Sequence, residues 1–258
     1  MTDGARMASY VGPSDSRTSA ASRLAVIVSA AGSSSRMGGI KKEYRYLPQN
    51  DAQAKRETGT SPARETVLSA AVRAFVDTAL FSQVLVAYPP GGETEAREAL
   101  EAGLLSTGSQ ARILFIPGGP SRKSSVHNAL KALIPFSPDY VLIHDGARPW
   151  ADAALIRRIT DAVLVCGAVI PVMPLVETPK EIDSQGLIVR HLRRASIVSA
   201  QTPQAFAFPE ILAAHERTAG DGIEYTDDAE VWSVCNGPVH TIPGSAANKK
   251  ITFPEDLS

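Results

Sequence analysis

The chain has 258 residues, with 26 Lys and Arg against 27 Asp and Glu, and the resulting net charge of −1 argues against a protein built to coat nucleic acid or an anionic membrane. Hydrophobic residues at 44% and charged residues at 21% exclude a disordered or collagen-like chain and predict a real core. Cys166 and Cys235 lie in apolar stretches, and His127, His144, His191, His215 and His240 are far apart, so buried thiols in a reducing compartment are expected, with no zinc site and no disulfide framework.

Residues 1–22 are rich in Ser, Ala and Gly, lack the continuous apolar stretch of a signal peptide, and are expected to form a disordered tail. The run LAVIVS (24–29) then opens a series of short apolar segments: QVLVAY (83–88), RILFI (112–116), YVLIH (140–144) and GAVIPV (167–172). Such runs suit strands buried on both faces of a mainly parallel sheet. Between them, ETVLSAAVRAFV, ETEAREALEAGLL, SSVHNALKALI and DAALIRRITDAVLV carry apolar residues at spacings of three and four, as helices do. The alternation predicts an α/β fold with helices on both faces, in one domain over 23–258. Two segments break the rhythm. Residues 48–62 are polar and bounded by Pro, as in a surface insertion, and 174–196 hold the alternating LIVRHL after a D-S-Q-G turn, as in an extended β-arm of the kind used for dimerisation. No apolar window reaches the roughly 18 to 20 residues of a membrane span, so no membrane partner is expected.

The polar turns after these strands hold the candidate chemistry. Ala30-Ala31-Gly32, followed by Ser33-Ser34-Ser35-Arg36-Met37-Gly38-Gly39 and Lys41-Lys42-Glu43-Tyr44, is either a small-residue cradle for phosphate or a flexible turn with solvated cations; it matches neither the Walker A nor the dinucleotide spacing. Pro117-Gly118-Gly119-Pro120 leads to Ser121, which suits a helix N-cap. Open α/β sheets bind ligands beyond the carboxyl ends of their strands, so both Gly-rich turns belong at one edge. His144-Asp145-Gly146-Ala147-Arg148-Pro149 follows the fourth strand, and its Asp and Arg either meet a ligand or order the turn as an ion pair. His144 reads as a packed residue rather than a base. Thr226, before Asp227-Asp228, reads as the cap of a further helix.

Taken in order, AAGSSSRMGG with KKEY, GGPSRKSSV, VLIHDGARP, ETPK, QTPQAF, YTDDA and NKKITFPEDL resemble the 2-C-methyl-D-erythritol 4-phosphate cytidylyltransferase family over roughly residues 23–257. The resemblance implies a Rossmann-like nucleotidyltransferase core, a cytoplasmic homodimer joined through the β-arm, and CMP transfer from CTP to methylerythritol phosphate with Mg²⁺, in non-mevalonate isoprenoid synthesis. It implies catalytic roles for Arg36, Lys42 and Lys250. Ala30, Ala31, Gly32, Gly119, Ser125 and Gly146 would bind CTP, and Asp145, Arg148, Thr178, Arg194 and Thr202 the alditol phosphate, Arg194 from the neighbouring subunit. Mg²⁺ would be held mainly by the triphosphate, with Asp145 as its one candidate protein ligand.

The chain departs from the family pattern in places. Lys41 stands where the family has Pro and competes with Lys42, which is favoured because it precedes Glu43-Tyr44. Pro120 offers no N–H to a base. Segment 48–62 is an insertion, and the family pattern continues beyond PEDL into a helix. The rival readings are a cytidylyltransferase for another alditol phosphate, such as ribitol 5-phosphate, and a catalytically silent nucleotide-binding protein.

Overall fold

In the computed structural model, residues 22–32, 41–48, 64–104 and 111–257 are described. The expected tail, apart from residue 22, and the expected insertion, apart from residue 48, lie outside them, as does Arg36.

Each expected strand forms: β1 (Leu24–Ser29), β2 (Gln83–Tyr88), β3 (Arg112–Pro117), β4 (Tyr140–Asp145) and β5 (Ala168–Pro174). The expected helices alternate with them as α1 (Val67–Val76), α2 (Glu93–Leu104), α3 (Arg122–Leu133) and α4 (Ala153–Cys166). Their starts follow from capping. Thr66 and Ser69 form a reciprocal box at α1, Ser121 accepts from the Ser124 N–H at α3, and Asp152 accepts from the Leu155 N–H at α4. Gly167 ends α4 at φ +75°, a left-handed conformation that a side chain disfavours, so β5 begins one residue later than the apolar run suggests.

After β5 come β6 (Lys180–Ile182), β7 (Ile188–His191), β8 (Val198–Ala200), β9 (Gln204–Ala207), α5 (Phe208–Arg217), α6 (Asp228–Asn236) and β10 (His240–Pro243). The main sheet runs β10-β5-β9-β4-β1-β2-β3, with β8 also paired to β5. Strands β3, β2, β1 and β4 are mutually parallel, as are β5 and β10, while β9 is antiparallel to both β4 and β5. That antiparallel strand, QAFA, is too short to show a pattern in the sequence, and its presence joins the two parallel halves.

Alternation along β1 divides the core between two faces. Leu24, Val26 and Val28 pack with Leu68, Val72 and Phe75 of α1 and with Leu155, Ile156 and Ile159 of α4. Ala25 and Ile27 face the other way, with Leu130 and Leu133 of α3, Ile211 of α5 and Trp232 of α6. Buried aliphatic side chains on this scale contribute about 1.5 to 3 kcal/mol each relative to exposure, which makes the sheet a rigid base for its turns.

The arm expected over 174–196 leaves this sheet as a separate hairpin of β6 and β7. Its D-S-Q-G turn is set by the Asp183 carboxylate, which accepts the N–H groups of Gln185 and Leu187, and by Gly186 at φ +82°. Two expectations need correcting. The cap of α6 is Asp227, which accepts the Glu230 N–H; Thr226 instead donates its N–H and hydroxyl to the Glu230 carboxylate, since Asp227 sits one residue closer to the helix. The two thiols are half-buried rather than buried, because both helices end at the surface there.

Candidate active site

Three strand ends converge. The Ala30 N–H donates to Ala87 O beyond β1, the Gly118 N–H to Tyr88 O beyond β3, and the Gly146 N–H to Ser29 O beyond β4. A Cβ at Gly118 would collide with the Ala31 methyl and lie 2.8 Å from Ser125 Oγ, and one at Gly146 would lie 3.1 Å from Ala30 Cβ. Glycine therefore lets the Ala30–Gly32, Gly118–Gly119 and Gly146 turns touch, as the sequence suggested. Ser125 is buried; its hydroxyl donates to Ser121 O at 2.8 Å and accepts the Gly119 N–H at 3.0 Å.

At the end of β4, His144 is fully buried against Phe75, with ring centroids 4.9 Å apart. Its Nε2 lies 3.0 Å from Arg148 O, which can only accept, so the proton belongs on Nε2; Nδ1 accepts from Thr202 Oγ1 at 3.1 Å, and Thr202 Oγ1 accepts the Asp145 N–H at 3.0 Å. Burial pushes the imidazole down to about 4, against the bond to Arg148 O, so it is neutral near pH 7. It is a structural post for the turn, as expected.

Asp145 meets three cations. Lys250 Nζ is 2.7 Å and Arg148 Nε 3.5 Å from Oδ2, while Arg122 Nε is 3.8 Å from Oδ1. Burial alone would raise this carboxyl, but Lys250, then Arg122 and Arg148, hold it below the usual carboxylate range. Arg148 Nη1 also donates to Asn248 O at 2.7 Å, whereas its buried Nε has no hydrogen-bond partner among the described residues. Around one carboxylate the sheet edge thus gathers an excess of positive charge, which favours anions.

Both loop lysines face this edge. Lys42 is buried and its Nζ donates to Ile251 O at 2.7 Å, next to Lys250. Lys41 reaches back to Gly32 O at 2.5 Å and pairs with Glu43 at 3.2 Å, and burial lowers its pKa against the pull of Glu43. Thr178 and Arg194 stand elsewhere, on the exposed arm; Arg194 donates to Val176 O at 2.6 Å, and no described contact joins either residue to the Asp145 cluster.

Sequence reasoning missed Arg122. It begins α3 directly after the Ser121 cap, so it reads as helix-start surface charge, yet its Nη2 is 2.7 Å from the buried Asp228 carboxylate. Its position just beyond β3 was the available signal.

A parallel-core sheet with small-residue turns at the strand ends and cations around a strand-end carboxylate defines an open α/β fold suited to an anionic ligand at that edge. The chain belongs to the IspD, 2-C-methyl-D-erythritol 4-phosphate cytidylyltransferase, family, whose model matches residues 24–258. It is 38% identical over 240 residues to the bifunctional enzyme IspD/IspF of Nitrobacter hamburgensis, covering 91% of this chain and 53% of that one. With the corresponding enzyme of Bradyrhizobium sp. strain ORS 278 the identity is 38% over 237 residues, covering 91% and 55%. The chain therefore spans about half the length of these curated relatives. Among solved structures it is similar to the 2-C-methyl-D-erythritol 4-phosphate cytidylyltransferases of Thermus thermophilus, at 29% identity and TM-score 0.64, and Francisella tularensis, at 26% and 0.69. Those alignments cover 90% and 92% of this chain, and 94% and 97% of the other chains.

Proposed function

We propose that residues 23–258 act as one nucleotidyltransferase domain that moves CMP from CTP to 2-C-methyl-D-erythritol 4-phosphate, giving 4-diphosphocytidyl-2-C-methyl-D-erythritol and pyrophosphate in non-mevalonate isoprenoid synthesis. The observation that carries this reading, beside family membership, is the set of cations around Asp145 next to the touching Ala30–Gly32 and Gly118–Gly119 turns.

A phosphate oxygen of the alditol phosphate attacks the α-phosphorus of CTP. That P–O bond forms as the bond to the bridging oxygen of pyrophosphate breaks, and the electron pair leaves with pyrophosphate. The nucleophile is already an anion, so no strong base is required, in keeping with a neutral, enclosed His144. Alignment and positive charge supply the catalysis. Lys250, Lys42 and Arg36 stabilise charge on the α-phosphoryl group, the turns at Ala30, Ala31, Gly32, Gly119, Ser125 and Gly146 hold the nucleotide, and Asp145, Arg148 and Thr202 hold the alditol phosphate.

Mg²⁺ enters this reading as part of the substrate. The Asp145 carboxylate is already engaged by three cations, and among the described residues no three His, Cys, Asp or Glu side chains form a metal-binding group. This donor set does not fit a resident metal, so Mg²⁺ is assigned to the triphosphate oxygens.

The arm supports a homodimer. Val176 is 80% exposed, and Ile182, Leu187, Ile188 and Val189 are also exposed, an apolar surface suited to a second copy of the arm. Thr178 and Arg194 would then serve the alditol phosphate of the neighbouring subunit. The proposed compartment is the cytoplasm, consistent with two free cysteines; no described helix is long and apolar enough to cross a membrane.

Mass spectrometry of the product made from CTP, Mg²⁺ and methylerythritol phosphate, with ribitol 5-phosphate in parallel, tests the substrate. The cytidine diphosphate product of methylerythritol alone is expected; product only from ribitol phosphate contradicts the reading.

A further inference from the structure

The segment Gln201-Thr202-Pro203-Gln204 contacts the 244–248 stretch, the Asp145 turn and the start of α6, and its two glutamines use their amides in the same way. Gln201, 8% exposed, donates from Nε2 to Ser245 O at 2.9 Å and accepts the Ser245 N–H on Oε1 at 3.1 Å. The side chain thus pairs with a backbone unit at two points. Gly244 makes room for it, since a Cβ there would lie 2.6 Å from Gln201 Oε1. A second tie follows from Asn248, fully buried, whose Nδ2 donates to Thr202 O at 2.7 Å. These bonds fix the stretch 244–249, and Lys250 leaves its end to meet Asp145 Oδ2.

Gln204, 1% exposed, makes the equivalent pairing on the other side. Its Nε2 donates to Asp227 Oδ2 at 2.8 Å, and its Oε1 accepts the Ala229 N–H at 3.1 Å. It therefore holds the first turn of α6, which carries Asp228; Asp228 holds Arg122, and Arg122 faces Asp145 Oδ1. The two oxygens of one carboxylate are addressed by cations whose supports trace back to two different glutamines. A neutral amide paired at both ends orients its partner without adding a charge that would offset the cation.

We infer that Gln201 and Gln204 are positioning residues for nucleotidyl transfer, Gln201 setting Lys250 and Gln204 setting Arg122 against opposite oxygens of Asp145. The inference rests on the function proposed above. Neither glutamine needs to touch substrate; each acts by keeping a cation where charge develops, and small misplacements of such groups are costly in rate.

The test is a pair of double-mutant cycles on kcat, measured by pyrophosphate release at saturating CTP and methylerythritol phosphate, with the melting temperature of every variant recorded. Methionine keeps the volume of glutamine and removes both bonds. Gln201→Met is expected to lower kcat about tenfold in the wild type and in Arg122→Ala, but less than about twofold in Lys250→Ala. Gln204→Met is expected to show the reverse pattern, losing its effect in Arg122→Ala and keeping it in Lys250→Ala. A purely structural role would give the same loss in every background, and that result overturns the inference. If a methionine variant does not fold, Gln201→Glu, which keeps the accepting oxygen, and Gln204→Leu are expected to show the same crossed pattern. An active wild type with uncrossed cycles removes this inference alone, whereas a wild type that turns over no alditol phosphate removes the function and this inference with it.

Discussion

Two regions of this molecule are rich in arginine and lysine, and they hold their cations in different ways. At the sheet edge, Arg122, Arg148 and Lys250 converge on an Asp145 side chain that is only 12% exposed, and Arg122 also binds the buried Asp228. On the arm, Arg190 pairs with Glu181 at 2.7 Å with both side chains in solvent, and Arg194 donates to the Val176 carbonyl and pairs with no acid among the described residues. An exposed pair contributes about 0 to 1 kcal/mol, whereas removing one partner from a buried network costs about 3 to 5 kcal/mol. The edge is a cluster of charge preorganised on the sheet; the arm carries apolar side chains that nothing described in this chain covers.

The sharpest way to break that contrast is to remove charge from the edge. Lys250→Ala and Lys42→Ala are each expected to lower kcat on the order of 100-fold or more, with Lys41→Ala much milder, because one charge stabiliser is worth a few kcal/mol in the transition state. Steady-state kinetics check this, and a larger loss for Lys41→Ala than for Lys42→Ala would exchange their roles.

A second effect belongs to the buried frame. His144 titrates at about 4 in the folded chain, against about 6.5 unfolded. Between these values the unfolded chain holds the extra proton, so stability falls as pH drops through about 6.5 and this loss ends near 4, amounting to about 3 kcal/mol over the full span. Denaturant unfolding across this range checks it; His144→Gln should flatten the slope, and an unchanged slope removes His144 as its source.

The arm should respond in the opposite manner. Val176→Asp with Ile188→Asp is expected to leave a folded monomer in sedimentation, with a change in unfolding free energy of only about 0.5 kcal/mol, since both residues are exposed. Arg194→Ala should weaken alditol phosphate binding and leave CTP binding unchanged, as titrations of the two ligands would show. The smallest effects concern α6. Thr226→Ala should cost under about 1 kcal/mol, and Asp227→Ala more, because it removes the cap and also leaves the buried Gln204 amide without its carboxylate partner, as chemical denaturation would show.

The contrast also explains what could be read from the sequence. β1, β2, β4 and β5 were legible because strands with both faces covered carry continuous apolar runs, and the half-buried edge strand β3 showed through its own run RILFI. The polar turns marked the site because a parallel sheet presents its strand ends on one side. Less legible were β9 and Arg122. QAFA is a four-residue strand whose pairing is fixed by tertiary packing, and Arg122 looks like ordinary charge at a helix start until Asp228, over a hundred positions away, meets it. The positions of Gln201 and Gln204 follow from the same limit, since a side-chain amide pairing with distant backbone leaves no local periodicity.

The most direct test of the central claim is pyrophosphate release by the purified protein from CTP with Mg²⁺ and methylerythritol phosphate, set against the same reaction without the alditol phosphate and with each other nucleoside triphosphate. The account requires release that depends on methylerythritol phosphate and favours CTP. A folded protein that releases pyrophosphate from none of these pairs would contradict it.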